Sequence, residues 1–301
     1  MFKSMILSGG LLLATVASLG CGDSDGTPAQ DATLSDTRGD VAGNDAGSDI
    51  ATDVSTTNVP CDPPTDSNGA AVACVAGRLV DESGAPVPNL AIGACTLDVC
   101  IRSTTNAEGR YVIGRLTLNP QKMLVFGVAK GYAQMIYYQG VTPGVLVNAP
   151  RDVVLHRLAA PDLDWPAATG GTVILADGML ELSAAPDTVI YPIGADEKVS
   201  ALEIDIADLP PFDITPWAGN EDHARAFIVN PYPLHASSSV GLRVLGAVGV
   251  AAGTPYHVYA AHSVKGTLEN KGTAIADGNG AIVLSGGDLI DLTTLVIIPV
   301  M

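Results

Sequence analysis

Between Val75 and Leu116 the chain has room only for short strands. Val75-Ala76-Gly77-Arg78-Leu79-Val80 is followed by the turn-rich run Asp81-Glu82-Ser83-Gly84-Ala85-Pro86-Val87-Pro88-Asn89, then by Leu90-Ala91-Ile92-Gly93-Ala94-Cys95. Arg102-Ser103-Thr104-Thr105, the turn Asn106-Ala107-Glu108-Gly109 and Arg110-Tyr111-Val112-Ile113-Gly114-Arg115-Leu116 come next. Apolar runs broken by turn chemistry every eight to twelve residues or so are the pattern of a small antiparallel sandwich. Gly84 and Gly109 can take positive φ at turns, and Pro86 and Pro88 stiffen a connection without interrupting a ladder.

The rest of the chain extends this reading. Its 301 residues suit about two domains, and 47% hydrophobic against 16% charged residues leaves enough apolar surface for sizeable cores. No segment after the N-terminal run repeats apolar residues at helical spacing, and the many short runs are rich in Val, Ile, Leu and Thr. The expected fold class is all-β: two β-sandwich domains over 72–158 and 170–301, joined by a linker over 159–169. In the first domain, strands are predicted near Val72–Val80, Leu90–Cys95, Cys100–Thr105, Arg110–Leu116, Met123–Lys130, Ala133–Tyr138 and Asp152–Arg157. In the second they are predicted near Thr172–Ala176, Met179–Ser183, Val199–Ile206, Ala224–Val229, Val240–Leu245, Tyr256–His262, Thr273–Ala276, Ala281–Leu284 and Leu295–Pro299. Asp177-Gly178 is expected to turn the first hairpin of that set, and Asp277-Gly278-Asn279-Gly280 a later one.

The first 20 residues read as a leader. Lys3 supplies a positive n-region, and Met5 to Leu19 is apolar or small, about 15 residues against the ~20 a membrane span needs. Ser18-Leu19-Gly20-Cys21 closes it. Small residues before a Cys at the end of an h-region resemble the lipobox of bacterial lipoproteins, with Ser18 where that family usually has Leu. The resemblance implies acylation of Cys21, which becomes the new N-terminus and ties the chain to a bilayer. Gly22 in place of Asp implies the outer membrane by the same resemblance. Plain secretion with Cys21 unmodified is the alternative.

Residues 21–71 then read as a tether. Between Gly22 and Ala71 there are ten Asp, one Arg and no Glu, within a net charge of −17 for the chain. So few large apolar side chains cannot offset chain entropy, so disorder is expected, with an r.m.s. span of ~40 Å or more. That charge makes nucleic acid and anionic lipid poor partners. Asp23-Ser24-Asp25-Gly26 echoes the start of a calcium loop, but no Glu occupies the twelfth position.

Four further cysteines, Cys61, Cys74, Cys95 and Cys100, allow three pairings in an exported chain. The four-residue loop between Cys95 and Cys100 favours that pair, leaving Cys61 with Cys74 to pin the end of the tether to the first strand. A zinc site is the rival reading, weakened by the lack of a Cys-x-x-Cys pair or a nearby His.

Gly77-Arg78-Leu79-Val80-Asp81, Gly84-Ala85-Pro86-Val87-Pro88, Thr105-Asn106-Ala107-Glu108-Gly109-Arg110-Tyr111 and Lys130-Gly131-Tyr132 fall in order. Together they resemble the carboxypeptidase regulatory-like domain, a transthyretin-like, seven-strand sandwich, over about Val72 to Arg157. Asn106 stands where the family usually has Asp, and Asn119-Pro120-Gln121-Lys122 replaces its Pro-Gly-x-Tyr. The resemblance implies a binding or spacing module that carries no catalytic residue, of a kind also grouped with carbohydrate-binding-like folds. Tyr111, Tyr132, Tyr137 and Tyr138 are candidate sugar-stacking platforms, and for Tyr111 and Tyr132 a place in the core or at a corner is the more economical reading.

Few residues of the chain offer chemistry. Glu221, Asp222 and His223 form one acid-base loop, without a partner motif. His257 and His262, five apart in a predicted strand, point to opposite faces and cannot share an ion. His156 and His235 complete the histidines. Trp165 and Trp217 sit in Pro-rich connections, as ligand platforms or as packing plugs. No nucleophile elbow and no phosphate-cradling loop occurs. The expectation is a non-enzymatic, cofactor-free envelope lipoprotein displaying β-sandwich modules to a protein or glycan. An architectural spacer without a small ligand is the alternative, and an enzyme with an unrecognised site the remote one.

Overall fold

The computed structural model describes residues 61, 65, 68–95, 100–116, 121–125, 127, 131–158, 163–247 and 250–300. The leader, Cys21, the calcium-like echo, most of the tether and residues 159–162 of the linker lie outside the described residues. The chain from Ala51 onward groups as one compact unit, and the described part of it is all-β.

The first module has strands β1 (Ala73–Asp81), β2 (Ala91–Cys95), β3 (Cys100–Thr104), β4 (Arg110–Leu116), β5 (Gln121–Val125), β6 (Met135–Gln139), β7 (Leu146–Asn148) and β8 (Val153–Leu155). One sheet runs β3-β2-β5-β6. In the other, β1 pairs with β4 on one side and, in parallel, with both β7 and β8 on the other. Cys74 faces Leu146 while Leu79 faces Val153, so the register slips by two residues around Pro150. Proline has no N–H for the ladder. β7 and β8 are therefore one interrupted edge strand, and the module is a seven-strand sandwich in which β7 is the half that the sequence pattern does not announce.

Local chemistry fixes its turns. Asp81 Oδ1 accepts the N–H groups of Ser83 (2.9 Å) and Ala85 (3.0 Å). Asn106 Oδ1 accepts those of Glu108 (3.1 Å) and Arg110 (2.8 Å), a role that needs only an acceptor oxygen, which Asn supplies as Asp would. Thr105 Oγ1 donates to the Val87 carbonyl (2.7 Å) and accepts from the Leu90 N–H (2.9 Å), tying the β1–β2 connection to the end of β3. Gly77 leaves space for the Tyr111 ring, because a Cβ there would run into its hydroxyl. Disulfides join Cys61 to Cys74 and Cys95 to Cys100. The first buries Cys61 beside Val72.

The second module adds β9 (Leu163–Asp164), β10 (Gly171–Leu175), β11 (Leu180–Ala184), β12 (Val189–Ile190), β13 (Lys198–Ile204), β14 (Arg225–Asn230), β15 (His235–Ala236), β16 (Gly241–Leu245), β17 (Pro255–Ala261), β18 (Leu268–Ala276), β19 (Ala281–Gly287) and β20 (Thr294–Pro299). Ten of them form one sheet, β10-β11-β16-β19-β18-β17-β20-β14-β13-β9, and β12 pairs with β15 as a short ribbon. The sheet rolls over one core that takes side chains from β10 and β11 at one end and from β13 and β14 at the other. Its halves thus face each other as sandwich layers. β9, β12 and β15 are two residues long, and β18 starts five residues earlier than its pattern suggests.

Strands β13, β14 and β20 of this sheet are covered on both faces. In β14, Phe227 and Val229 point into the rolled core, whereas Ala226 and Ile228 point out. In β20, Leu295 and Ile297 point in and Val296 and Ile298 point out. The outward set is also buried, because the first module lies on it: Leu79, Ile113, Met135 and Leu155 share one core with Ile204, Ile228 and Ile298. Runs such as Leu295-Val296-Ile297-Ile298, apolar at every position, mark strands covered on both sides. Trp217 plugs this shared core and Trp165 the rolled one.

Candidate functional site

The densest polar chemistry lies where the modules meet. β14 ends at Asn230, and the segment Pro231-Tyr232-Pro233 crosses towards the first module. Asn230 Oδ1 accepts the backbone N–H of Gln134, from the first module, at 3.0 Å. Lys122 on β5 reaches the other way: its ammonium donates to the Tyr232 hydroxyl (2.7 Å) and to the Ser263 carbonyl (2.7 Å). The Tyr232 hydroxyl donates to that same carbonyl. Gly266, with φ +71°, closes the 263–266 turn directly against β6, where a Cβ would meet the Tyr137 carbonyl oxygen at 2.6 Å.

Behind this contact sits a buried ion cluster. Asp291, 4% exposed, is 3.0 Å from the Lys271 ammonium and 3.3 Å from His235 Nδ1. The Ser263 N–H points at its Oδ1 from 3.5 Å. Lys271 also meets Glu269 at 3.0 Å. Burial raises the pKa of Asp291, but the bonds from His235, Lys271 and Ser263 and the Lys271 charge outweigh it and hold the carboxyl well below its ordinary range. Burial opposes the charge on Lys271 too, and Glu269 and Asp291 more than restore it. Lys122 has no such compensation, and burial pulls its ammonium pKa down. Burial, then the Asp291 charge, push the Tyr232 phenol up.

Ser263, His235 and Asp291 have the composition of a nucleophilic triad, but the geometry is different. It is the Ser263 backbone N–H that faces Asp291, the Ser263 Oγ lies buried without a hydrogen-bond partner, and the residue is 2% exposed. No substrate carbonyl can approach that hydroxyl. The cluster joins strands and modules; it does not present a reacting group.

The residues singled out from sequence are dispersed. Tyr111 and Tyr137 lie inside the first module with their hydroxyls 2.7 Å apart, and burial pushes the Tyr111 phenol up to about 12. Tyr132 is buried beneath the Arg157 guanidinium, 4.4 Å from its ring centroid. Tyr138 is half-buried. Glu221, Asp222 and His223 are exposed on a 3-10 turn. The Gly219 N–H binds both oxygens of Glu221 (3.0 and 3.1 Å) and lowers its pKa, the wrong direction for a general base at neutral pH. His257 stands on β17 beside Asn270, and His262 follows the strand and accepts the Val264 N–H at 3.1 Å. Among the described residues no three His, Cys, Asp or Glu side chains are grouped to hold a metal.

No protein-family model matches the chain, and no curated protein matches it. Among solved structures it is similar to a streptococcal ancillary pilin, at 11% identity over 73% of this chain and 51% of the pilin, with a TM-score of 0.25. It is similar to the Bacillus anthracis TIE protein at 11% identity over 73% of this chain and 44% of that one, TM-score 0.26. A DUF3823 family protein from Parabacteroides merdae matches at 7% identity over 77% of this chain and all of that chain, TM-score 0.22. The matched region spans about half the length of the first two. At these TM-scores the likenesses carry no argument about role.

Proposed function

We propose that the chain is a non-catalytic envelope lipoprotein that presents its two β-modules as one body to a protein or glycan partner. The observation that supports this most is the shared core. Leu79 and Met135 of the first module are buried with Ile228 and Ile298 of the second, so a ligand surface on either is held at a fixed attitude to the other. A body of this kind on an acidic tether, tied down through Cys21, suits display at a lipid boundary. The burial of Tyr111, Tyr132 and Tyr137 removes three of the four aromatic platforms that a glycan reading would use, which favours a protein partner. The architectural spacer remains a second reading, favoured by the same shared core.

Acyl chains contribute ~0.8 kcal/mol per buried methylene, so two or more chains hold a protein durably at a membrane. Labelled palmitate should enter the wild-type chain and be lost in Cys21→Ser, with the variant released from the membrane fraction. Label that survives the substitution would contradict the anchor. Protease shaving of intact cells then decides which partners the head can meet.

A further inference from the structure

We propose that His156 is a proton-operated latch between the two modules. It lies one residue beyond β8 and is 6% exposed. Its Nδ1 is 3.2 Å from Glu82 Oε1, in the β1–β2 connection of its own module. Its Nε2 faces Asp208 Oδ2, on the 3-10 turn Ile206–Asp208 of the other module, at 3.7 Å. That distance is too long for a hydrogen bond, and Nε2 is a buried polar atom with no hydrogen-bond partner. The site is therefore built around two acceptors, one from each module, with an imidazole between them.

The other charges around it are engaged. Arg151 donates to the carbonyls of Ala207 and Leu209, fastening the same turn. Asp205 caps that turn through the Ala207 N–H (2.8 Å). Asp81 is held by Ser83 and Ala85, Arg157 lies over Tyr132, and Arg78 pairs with Asp152 at 2.9 Å. None of these supplies a proton to Asp208. A neutral imidazole has a single N–H and serves Glu82 or Asp208, not both. The imidazolium has two and places a positive charge between the two carboxylates. The added positive charge attracts both carboxylates and draws Nε2 and Asp208 Oδ2 in from 3.7 Å to bonding distance across the seam, so docking tightens in mild acid and loosens at higher pH.

Hydrogen exchange at the amides of Ala207 and Leu209, in the purified full-length chain and corrected for the intrinsic pH dependence of exchange, reads the seam directly. One added charge-assisted bond predicts about tenfold more protection at pH 5.5 than at pH 8. His156→Gln should abolish that difference, and His235→Gln, which alters the other paired histidine, should retain it. Asp208→Asn is the second variant, altering a partly exposed carboxylate, and should also lose the difference. Equal protection at both pH values in the wild type, or an undiminished gain in His156→Gln or Asp208→Asn, would overturn the latch.

Discussion

Trp165→Ala should lower the unfolding free energy by about 3–5 kcal/mol, the range for deleting a large, fully buried aromatic side chain. Trp165 belongs to the connection between the modules and lies where the two ends of the rolled sheet approach each other. It is 1% exposed, and its ring packs in the core of the second module. Its backbone N–H donates to the Glu197 carbonyl (3.0 Å) beside β13, and its indole N–H donates to the Gly171 carbonyl (3.2 Å) on β10. The Tyr191 hydroxyl donates to its carbonyl at 2.8 Å. One residue therefore bonds both edges that a rolled, unclosed sheet would leave exposed. Trp165→Phe keeps most of the volume but leaves the Gly171 carbonyl without its donor, and should cost about 1–3 kcal/mol. Urea unfolding followed by far-UV circular dichroism measures both. A loss below about 1 kcal/mol for the alanine variant would mean that the sheet closes without the indole.

Asp291→Ala is the second large effect, about 3 kcal/mol, at the low end of the range for breaking a buried pair, because Lys271 loses one of its two carboxylates and keeps only Glu269. The Lys271 side chain is only 12% exposed, so it cannot recover its hydration by turning outward. Substituting Lys271→Met together with Asp291→Leu should restore much of the loss, since an apolar pair of similar volume often matches a buried ion pair. The pH dependence follows from the lowered pKa of Asp291. An unfolded Asp titrates near ~3.9. The carboxylate therefore contributes its full stabilisation above about pH 4 and loses it as the pH falls towards the folded value. Stability measured across the acid range should fall less steeply in Asp291→Ala than in the wild type. A variant within about 1 kcal/mol of wild type at neutral pH would show the carboxylate to be dispensable.

What the sequence discloses and what it hides divide along a physical line. The turns at Asp81–Ala85 and Asn106–Gly109 are legible because the side chain that makes each one sits within four residues of the amides it binds. The strands of β14 and β20 are legible as apolar runs, yet such a run says only that both faces are covered, not by what. The first module's place on the outer face of β13, β14 and β20 was therefore beyond reach. Tyr111 and Tyr132 read as core or corner residues and are buried, whereas nothing in the sequence assigns Tyr137 to the core, since a tyrosine suits either side of a half-buried strand. The seam was hidden most completely. Lys122 meets Ser263 across 141 residues of sequence, and no spacing rule spans such a gap. The trace it left is Asp291 itself, a charge set between Ile290 and Leu292, three residues after Asp288. The strands β9, β12 and β15 are too short to show a period at all.

Scanning calorimetry of the purified chain tests most directly whether the two modules are one folding unit. A shared core spanning both modules predicts one transition, with a calorimetric enthalpy equal to the van't Hoff enthalpy. Two resolved transitions, or a calorimetric enthalpy near twice the van't Hoff value, would contradict it.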